Sequence, residues 1–291
     1  MTESAVHVRG LVKRYHGTPV VDGLDLDIAP GEVFALLGPN GAGKTTTVEI
    51  LEGYRARDDG SVTVLGEDPG KAGRAWRGRI GIVSQTATDA SELTVREVVR
   101  HFAGVYPRPR DPDTVIDQVG LGEHAGKRIG RLSGGQRRRV DVALGVIGDP
   151  ELLFLDEPTT GFDPEARVRF WQLIRHLAAE GTTILLTTHY LDEVEALANR
   201  VAVIAKGRVL SVGDPATLGD RASAGAVVSW REDGRLVEEV TANPDQFVAE
   251  LVRRNSGNVP DLSVQRPSLE DVYLQMIGKT QTTDEPQKES A

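Results

Sequence analysis

Two segments near the start of the sequence alternate apolar with polar residues, at positions 6–15 and 24–28. Alternation places every second side chain on the same face, which predicts strands with one buried face. Shorter runs dominated by apolar residues predict strands that are buried on both faces. These runs cover residues 33–37, 80–83, 152–155, 183–187 and 201–205. A further strand is expected at 61–65, and residues 209–212 are expected to form a hairpin with 201–205.

Three segments carry the signals of helix starts. Ser133 is a suitable N-cap, Thr94 and Glu97 form a capping box, and Asp163 is followed by proline at the first helical position. The helix after Ser133 has a predicted apolar face of Val140, Ala143, Leu144 and Ile147. The helix after Asp163 has a predicted core face of Val168, Trp171, Ile174 and Leu177.

The order of these elements predicts a mixed α/β protein with two domains and a tail. Strands and helices alternate over residues 1–215, apart from a mostly helical subdomain at about 86–150. Turn-forming residues at 213–215 end this body. Residues 216–278 predict a small α/β accessory domain, whereas the polar residues 279–291 predict a disordered tail.

The composition limits the kinds of function that the chain can have. A net charge of −9 and a pI near 5.3 argue against a broad nucleic-acid footprint, so no nucleic acid is expected as a partner. The sequence has no cysteine, which excludes disulfides and cysteine-based zinc sites. The first residues show no signal-peptide pattern, and no apolar run approaches the ~20 residues of a membrane span. Any membrane role is therefore expected to be peripheral.

A phosphate-binding motif lies between the strand at 33–37 and a helix expected to end near residue 53. The motif consists of Gly38, Pro39, Asn40, Gly41, Ala42, Gly43, Lys44 and Thr45, followed by Thr46. The glycines let backbone N–H groups converge on phosphate oxygens, Lys44 reaches the β- and γ-phosphates, and Thr45 is a ligand for Mg²⁺. The alternative is a glycine-rich turn without a ligand. The strand before the motif and the helix after it favour the P-loop.

Two carboxylates, Asp156 and Glu157, stand at the end of the buried strand at 152–155. Asp156 suits Mg²⁺ ligation, directly or through water. Glu157, one residue further, can act as the general base for a water that attacks the γ-phosphate. The alternative is a solvated acidic pair at a strand end, and the presence of the P-loop favours the catalytic interpretation.

A second anion site is predicted at the loop formed by Leu132, Ser133, Gly134, Gly135 and Gln136. This loop begins a helix, where free backbone N–H groups and the helix dipole favour a negative charge. No nucleotide motif adjoins the loop in the sequence, so a phosphate bound here must come from elsewhere.

Together these motifs resemble the nucleotide-binding subunit of an ABC transporter. Their order is a P-loop, Gln85 after a strand, Leu-Ser-Gly-Gly-Gln, a strand ending in Asp-Glu-Pro, and a strand ending in His189. The resemblance covers about residues 6–212. It implies a P-loop NTPase core of the ABC type, with an antiparallel β subdomain and a helical subdomain, that binds ATP and Mg²⁺ and hydrolyses ATP.

The resemblance also implies roles for individual residues. Gln85 would contact Mg²⁺ and the attacking water and link the site to a membrane partner, and His189 would contact the γ-phosphate. Tyr15 would stack on adenine, the alternative being a surface aromatic residue on an edge strand. The implied catalytic residues are Lys44, Gln85, Glu157 and His189, and the implied Mg²⁺ ligands are Thr45, Gln85 and Asp156.

A homodimer is implied as well. In this family ATP lies between the P-loop of one chain and the signature loop of the other, here Ser133, Gly134, Gly135 and Gln136. Asp163 would contribute at the interface, which is compatible with its role as an N-cap. Phe162 stands where the family usually has leucine, and it affects interface packing only. Nothing that hydrolysis requires is missing, so an active ATPase is expected.

A C-terminal motif narrows the resemblance. Residues 267–274, Pro-Ser-Leu-Glu-Asp-Val-Tyr-Leu, resemble the closing motif of ATPase subunits from drug-resistance and related ABC-2-type exporters, although Ser268 and Asp271 also form a helix cap. The implied partners are separate integral-membrane permease subunits, and the implied location is the cytoplasmic face of the membrane. The alternatives are an importer ATPase and a soluble ABC ATPase that acts on nucleic acid or ribosomes. The absence of cysteine and of sustained heptads disfavours the soluble ATPase.

Overall fold

The computed structural model describes residues 4–84, 90–220, 225–232 and 234–282. The chain divides into two compact units, Met1–Val212 and Gly213–Ala291. The strands of the first unit, in chain order, are β1 (Val6–Tyr15), β2 (Thr18–Ile28), β3 (Val33–Leu37), β4 (Asp59–Val64), β5 (Ile80–Val83), β6 (Leu152–Asp156), β7 (Thr183–Thr188), β8 (Arg200–Ala205) and β9 (Arg208–Gly213). The last residue of β9 belongs to the second unit.

A six-stranded sheet of order β5-β6-β7-β3-β8-β9 forms the centre of the first unit. The pairs β5–β6, β6–β7, β7–β3 and β3–β8 are parallel. Every residue of β3, β6 and β7 is buried, which is the pattern of parallel strands covered on both faces. The predicted apolar strands and the hairpin of β8 with β9 are thereby confirmed. Because the strands are parallel, the carboxyl ends of β3, β6 and β7 lie at the same edge of the sheet.

A three-stranded antiparallel sheet of order β2-β1-β4 packs in the same core as the central sheet. Strand β2 begins at Thr18, earlier than the alternation predicted, because the two-residue turn at His16 and Gly17 pairs Tyr15 with Thr18. Both turn residues have positive φ, 51° and 84°, as the tight hairpin turn requires.

The helices of the first unit are α1 (Lys44–Leu51), α2 (Arg74–Arg77), α3 (Val95–Ala103), α4 (Pro112–Gln118), α5 (Gly134–Val146), α6 (Pro164–Ala179) and α7 (Leu191–Leu197). Short 3₁₀ turns at Gly122–His124 and Ile129–Arg131 lie between α4 and α5. The predicted apolar face of α5 is buried, and the caps at Thr94, Ser133 and Asp163 are present. These local predictions are confirmed.

The predicted core face of α6 is partly wrong. Val168 is 49% exposed, whereas Ala166, Phe170 and Leu173 are buried with Ile174 and Leu177. The buried stripe follows spacings of three and four residues that begin at Ala166. Ala166 and Phe170 therefore lie in the buried stripe, and the predicted Val168 does not.

The second unit contains β10 (Ala226–Glu232), β11 (Arg235–Thr241), α8 (Pro244–Arg254), β12 (Ser263–Gln265) and α9 (Leu269–Thr282), after a 3₁₀ turn at Leu218–Asp220. The strands form an antiparallel sheet of order β11-β10-β12. Trp230 packs with Phe247 and Leu251 in the core of this unit. Ser268 caps α9, because its Oγ accepts a hydrogen bond from the Asp271 N–H. The Asp271 carboxylate in turn accepts one from the Ser268 N–H at 2.7 Å. Helix α9 continues to Thr282, beyond residue 279, where the disordered tail was predicted to begin.

Among the helices that the structure describes, none has the combination of length and apolar composition that a bilayer span needs.

Candidate active site

The P-loop joins the buried end of β3 to the start of α1. A Cβ at Gly38 would lie 2.3 Å from the carbonyl oxygen of Ile204, and one at Gly43 would lie 2.6 Å from that of Val20. Gly43 also has φ of 98°, which other residues rarely adopt. Glycine is therefore required at both positions, and the loop enters α1 with the backbone N–H groups of its first turn free of intrahelical partners.

Lys44 is the first residue of α1 and is buried. Its Nζ donates to the carbonyl oxygens of Gly38 at 2.7 Å and Pro39 at 3.2 Å, so the side chain curls back over the loop. Burial lowers the pKa of Lys44, and the carboxylates of Glu157 and Asp156 oppose this shift. The arrangement holds a cation at the mouth of a loop of backbone donors, which suits an anionic phosphate chain.

Asp156 ends β6 and is bracketed by two threonine hydroxyls. Thr45 Oγ1 donates to Asp156 Oδ2 at 3.2 Å, and Thr187 Oγ1 on β7 donates to Asp156 Oδ1. Hydroxyl and carboxylate oxygens are the ligands that Mg²⁺ prefers. Among the described residues, no group of three or more histidine, aspartate and glutamate side chains could hold a metal alone. An ion at Asp156 and Thr45 would therefore need phosphate and water for its other ligands.

Glu157 has a left-handed backbone conformation, with φ of 46°. This conformation costs a non-glycine residue about 1–3 kcal/mol and persists only where neighbours enforce it. The Glu157 N–H donates to Thr187 at both its carbonyl oxygen, 3.1 Å away, and its Oγ1, 3.2 Å away. The turn directs the carboxylate toward His189, whose Nδ1 lies 3.3 Å from Glu157 Oε1.

Two residues at this site were missed by the sequence reasoning. Thr187 was assigned only to a strand, yet its hydroxyl joins Asp156 to the Glu157 N–H. Arg138 was given no role, yet it is 8% exposed and its guanidinium reaches backbone carbonyls beside the site. The run of three arginines at 137–139 could not single out Arg138, because its partners come from distant parts of the chain.

The signature loop is organised by its own helix cap. Ser133 Oγ accepts from the Gln136 N–H at 3.2 Å, and Gln136 Oε1 accepts from the Ser133 N–H at 3.0 Å. A Cβ at Gly135 would lie 3.1 Å from the Gly161 carbonyl oxygen, so the loop adjoins the turn before α6. Asp163 caps α6 by accepting from the Ala166 N–H at 2.8 Å. Within the described part of the chain, none of the bonds of residues 133–136 joins the P-loop.

The remaining predicted site residues are Tyr15 and Gln85. Tyr15 is partly buried at the end of β1, where Arg55 and Lys13 lie over its ring at 5.4 and 5.7 Å from the centroid. Its stacking surface is thus bordered by two cations. Gln85 lies outside the described residues.

The sequence is similar to ATP-binding subunits of ABC transporters. The family model described as ABC transporter matches residues 21–160. The chain is 37% identical to daunorubicin resistance ATP-binding protein DrrA3 of Streptomyces coeruleorubidus, over 96% of this chain and 97% of the relative. It is 36% identical to Nod factor export ATP-binding protein I of Rhizobium sp. (strain N33), over 96% of this chain and 99% of the relative. This chain belongs to the ABC transporter ATP-binding family.

Solved structures of ABC cassettes show the same fold. An ATP-binding subunit of an ABC transporter aligns with a TM-score of 0.71 and 21% identity, over 94% of this chain and all of that one. CbiO1 from Clostridium perfringens, part of the ABC transporter complex cbiONQ, aligns with a TM-score of 0.64 and 30% identity, over 74% of this chain and 90% of that one. The predicted P-loop fold of the ABC type and the prediction of an ABC ATPase are thereby confirmed.

A cavity of about 790 Å³ lies away from this site in the ABC ATPase. It is lined by Arg79, Glu151 and Thr183, at the starts of the parallel strands. Ligands of open α/β sheets bind at the opposite, carboxyl ends of the strands. This cavity is therefore not assigned to the nucleotide.

A partly buried carboxyl group lies just beyond α1. Glu52 follows the last residue of the helix and lines a cavity of about 470 Å³ together with Phe102, Tyr106 and Asp141. Burial, and then the negative charges of Asp156 and Glu49, raise the pKa of Glu52 from 4.5 to about 8. The protonated form is therefore the one that the fold favours.

Replacing Glu52 should change how stability depends on pH. Because the unfolded carboxyl titrates near 4.5 and the folded one near 8, the unfolded state releases its proton first as pH rises, and the folded state loses stability across this interval. Glu52→Gln should melt several degrees higher than the parent protein near pH 9 and at about the same temperature near pH 4. Differential scanning calorimetry measures this, with the exposed Glu123→Gln as control. A difference in melting temperature between Glu52→Gln and the parent that stays the same at all pH values would contradict the raised pKa.

Proposed function

We propose that this chain is the ATP-hydrolysing subunit of an ABC exporter and powers efflux of a drug-like or lipid-like substrate through separate membrane permease subunits. The observation that carries the proposal is the similarity to export and resistance ATP-binding proteins over 96% of this chain. At this coverage the aligned part of the chain includes the C-terminal region. The proposed organisation is a nucleotide-binding body at residues 1–215 and an accessory domain at residues 216–278.

The P-loop is proposed to hold the phosphates of ATP. Backbone N–H groups of residues 40–46, which include the first turn of α1, would bind the phosphate oxygens. Lys44 would leave the carbonyl oxygens of Gly38 and Pro39 to reach the β- and γ-phosphates. Tyr15 would stack on the adenine ring. Its ring is bordered by Arg55 and Lys13, which supports a position next to an anionic nucleotide.

Hydrolysis is proposed to depend on the two carboxylates at the end of β6. Thr45, Asp156 and Gln85 would hold Mg²⁺, which would supply positive charge to balance the charge of the phosphate chain. Glu157 would accept a proton from the attacking water, because its carboxylate is the acceptor that lies one residue beyond Asp156. His189 would hold the Glu157 carboxylate and contact the γ-phosphate. The 3.3 Å separation of His189 Nδ1 from Glu157 Oε1 supports this pairing.

The catalytic unit is proposed to be a homodimer. The signature loop, residues 133–136, would cap the ATP that is bound to the P-loop of the partner, and Asp163 would lie at the same interface. Closing of the dimer around ATP would shift the membrane subunits between inward and outward states, and hydrolysis would release it. The chain would thus act at the cytoplasmic face of the membrane.

The proposal is tested by Lys44→Ala in the complete transporter. Loss of the ammonium group that faces the phosphates should reduce both ATPase activity and substrate export at least ~100-fold. The measurements are phosphate release by the purified complex and accumulation of a fluorescent drug in cells that carry the permease. The exposed Lys71→Ala serves as control. ATPase activity that stays near normal in Lys44→Ala would refute the P-loop assignment, and export that persists without ATPase activity would refute the exporter assignment.

A further inference from the structure

We propose that Arg138 is a positioning residue that holds the backbone turn at Glu157 and thereby sets the direction of the catalytic carboxylate. Arg138 lies on α5, two residues after the signature loop, and no role is otherwise assigned to it. The inference rests on the proposed role of Glu157 as general base, and its test is designed to separate the two.

The first observation is the set of acceptors of the Arg138 guanidinium. Its Nη2 donates to the Asp156 carbonyl oxygen at 2.6 Å and to the Glu157 carbonyl oxygen at 3.3 Å. Its Nε donates to the Pro158 carbonyl oxygen at 3.2 Å. Three consecutive carbonyl groups at the end of β6 are therefore bound by one planar side chain. Lysine could not reproduce this because its donors radiate from one nitrogen.

The second observation is the conformation that these bonds surround. Glu157 has φ of 46°, and this left-handed turn is unfavourable for a glutamate unless the surroundings impose it. Thr187 binds the N–H side of Glu157, and Arg138 binds the carbonyl side. The two residues together fix both peptide planes at Glu157. Without Arg138 the turn can relax, and the carboxylate then leaves its position beside His189.

The third observation is where the charge of Arg138 is balanced. Arg138 is 8% exposed, and its acceptors are neutral carbonyl groups. The carboxylate of Asp141 favours the guanidinium cation, and those of Asp156 and Glu157 add to this effect. Asp141 lies one turn later on α5 and is itself buried. The negative charge of Asp141 therefore stabilises the Arg138 cation from the same helix.

A further bond of Arg138 reaches another strand. Its Nη1 donates to the carbonyl oxygen of Ser84, the residue after β5. One side chain thus joins α5, which begins at the signature loop, to the ends of both β5 and β6. A shift of α5 that disturbs these bonds would act directly on the turn at Glu157. Binding of ATP at the signature loop is thereby coupled to the position of the Glu157 carboxylate in the same chain.

The test compares Arg138→Gln with Arg139→Gln in the full chain. Arg139 is the matched control, since it also lies on α5 and donates to backbone carbonyls, those of Gly120 at 2.8 Å and Val119 at 3.4 Å, away from the site. Arg138→Gln should lower kcat about 10-fold to 100-fold and change the KM for ATP less than about 3-fold. Arg138→Lys should recover only part of kcat, and Asp141→Asn should cause a smaller loss in the same direction.

A structural readout accompanies the kinetics. Amide hydrogen exchange of the peptide that contains residues 155–160 should accelerate in Arg138→Gln and stay unchanged in Arg139→Gln. In the Glu157→Gln background, Arg138→Gln should lower the residual hydrolysis less than about 2-fold, because the carboxylate that it positions is already absent. A general loss of folded protein would instead lower activity equally in both backgrounds.

The outcomes separate the inference from the function on which it rests. Equal kinetics of Arg138→Gln and Arg139→Gln, or independent losses from Arg138→Gln and Glu157→Gln, would overturn the positioning role. If Arg138→Gln does not fold, the same comparison is made with Arg138→Lys, for which full kcat would overturn it. Normal ATPase activity in Lys44→Ala would overturn the proposed function itself, whatever the Arg138 variants show.

Discussion

Glu157→Gln should hydrolyse ATP at least ~100-fold more slowly than the parent protein and should form a stable dimer in the presence of ATP and Mg²⁺. The amide keeps the shape of the carboxylate but cannot accept a proton from water. Its contact with His189 can persist, because the amide also hydrogen bonds at the 3.3 Å separation. Binding of ATP is therefore kept while the step that releases the dimer is blocked. Phosphate release and size-exclusion chromatography measure the two effects.

The matched control for this substitution is Glu165→Gln. Glu165 lies in the first turn of α6 with its side chain 76% exposed, and it pairs with Arg169 on the same helix. Its loss should leave both hydrolysis and the nucleotide-dependent elution volume unchanged. A Glu157→Gln protein that stays monomeric at saturating ATP and Mg²⁺ would contradict the shared site, and one with normal turnover would contradict the role of Glu157 as base.

The features that were predicted from the sequence are those that depend on neighbouring residues. The P-loop requires glycines at fixed spacing after an apolar run, and the structure places it between β3 and α1. The caps at Ser133 and Ser268 follow from pairs three residues apart, Ser133 with Gln136 and Ser268 with Asp271. Local backbone geometry decides such features, so one sequence suffices to find them.

The features that were missed depend on residues that meet only in the folded chain. The buried stripe of α6 includes Phe170 and excludes Val168, because the surface that the helix covers selects the stripe. Nothing in a run of arginines shows that Arg138 is the buried one. The left-handed turn at Glu157 is held on its N–H side by Thr187, which lies 30 residues away in the sequence. Long-range packing overrides local preference at these positions.

The proposed reciprocal arrangement of the two sites predicts its largest effect in a dimer of two unlike chains. Ser133→Arg places a bulky cation in the signature loop, and Lys44→Ala removes the P-loop cation. Each homodimer should therefore be inactive. In a mixed dimer of the two variants, the P-loop of the Ser133→Arg chain faces the intact signature loop of the Lys44→Ala chain. One site of two is complete, so the mixed dimer should recover about half of the parent activity.

The matched control places both substitutions in one chain and pairs it with the parent chain. If the signature loop acts across the interface, each site of this control dimer contains one altered element, and the dimer should be inactive. If the loop acts on the P-loop of its own chain, the parent chain keeps a complete site and the control is the active dimer. Two affinity tags purify each mixed dimer, and phosphate release then decides between the arrangements. Because the two dimers contain the same substitutions, the difference in their activity reports only which chain supplies the loop.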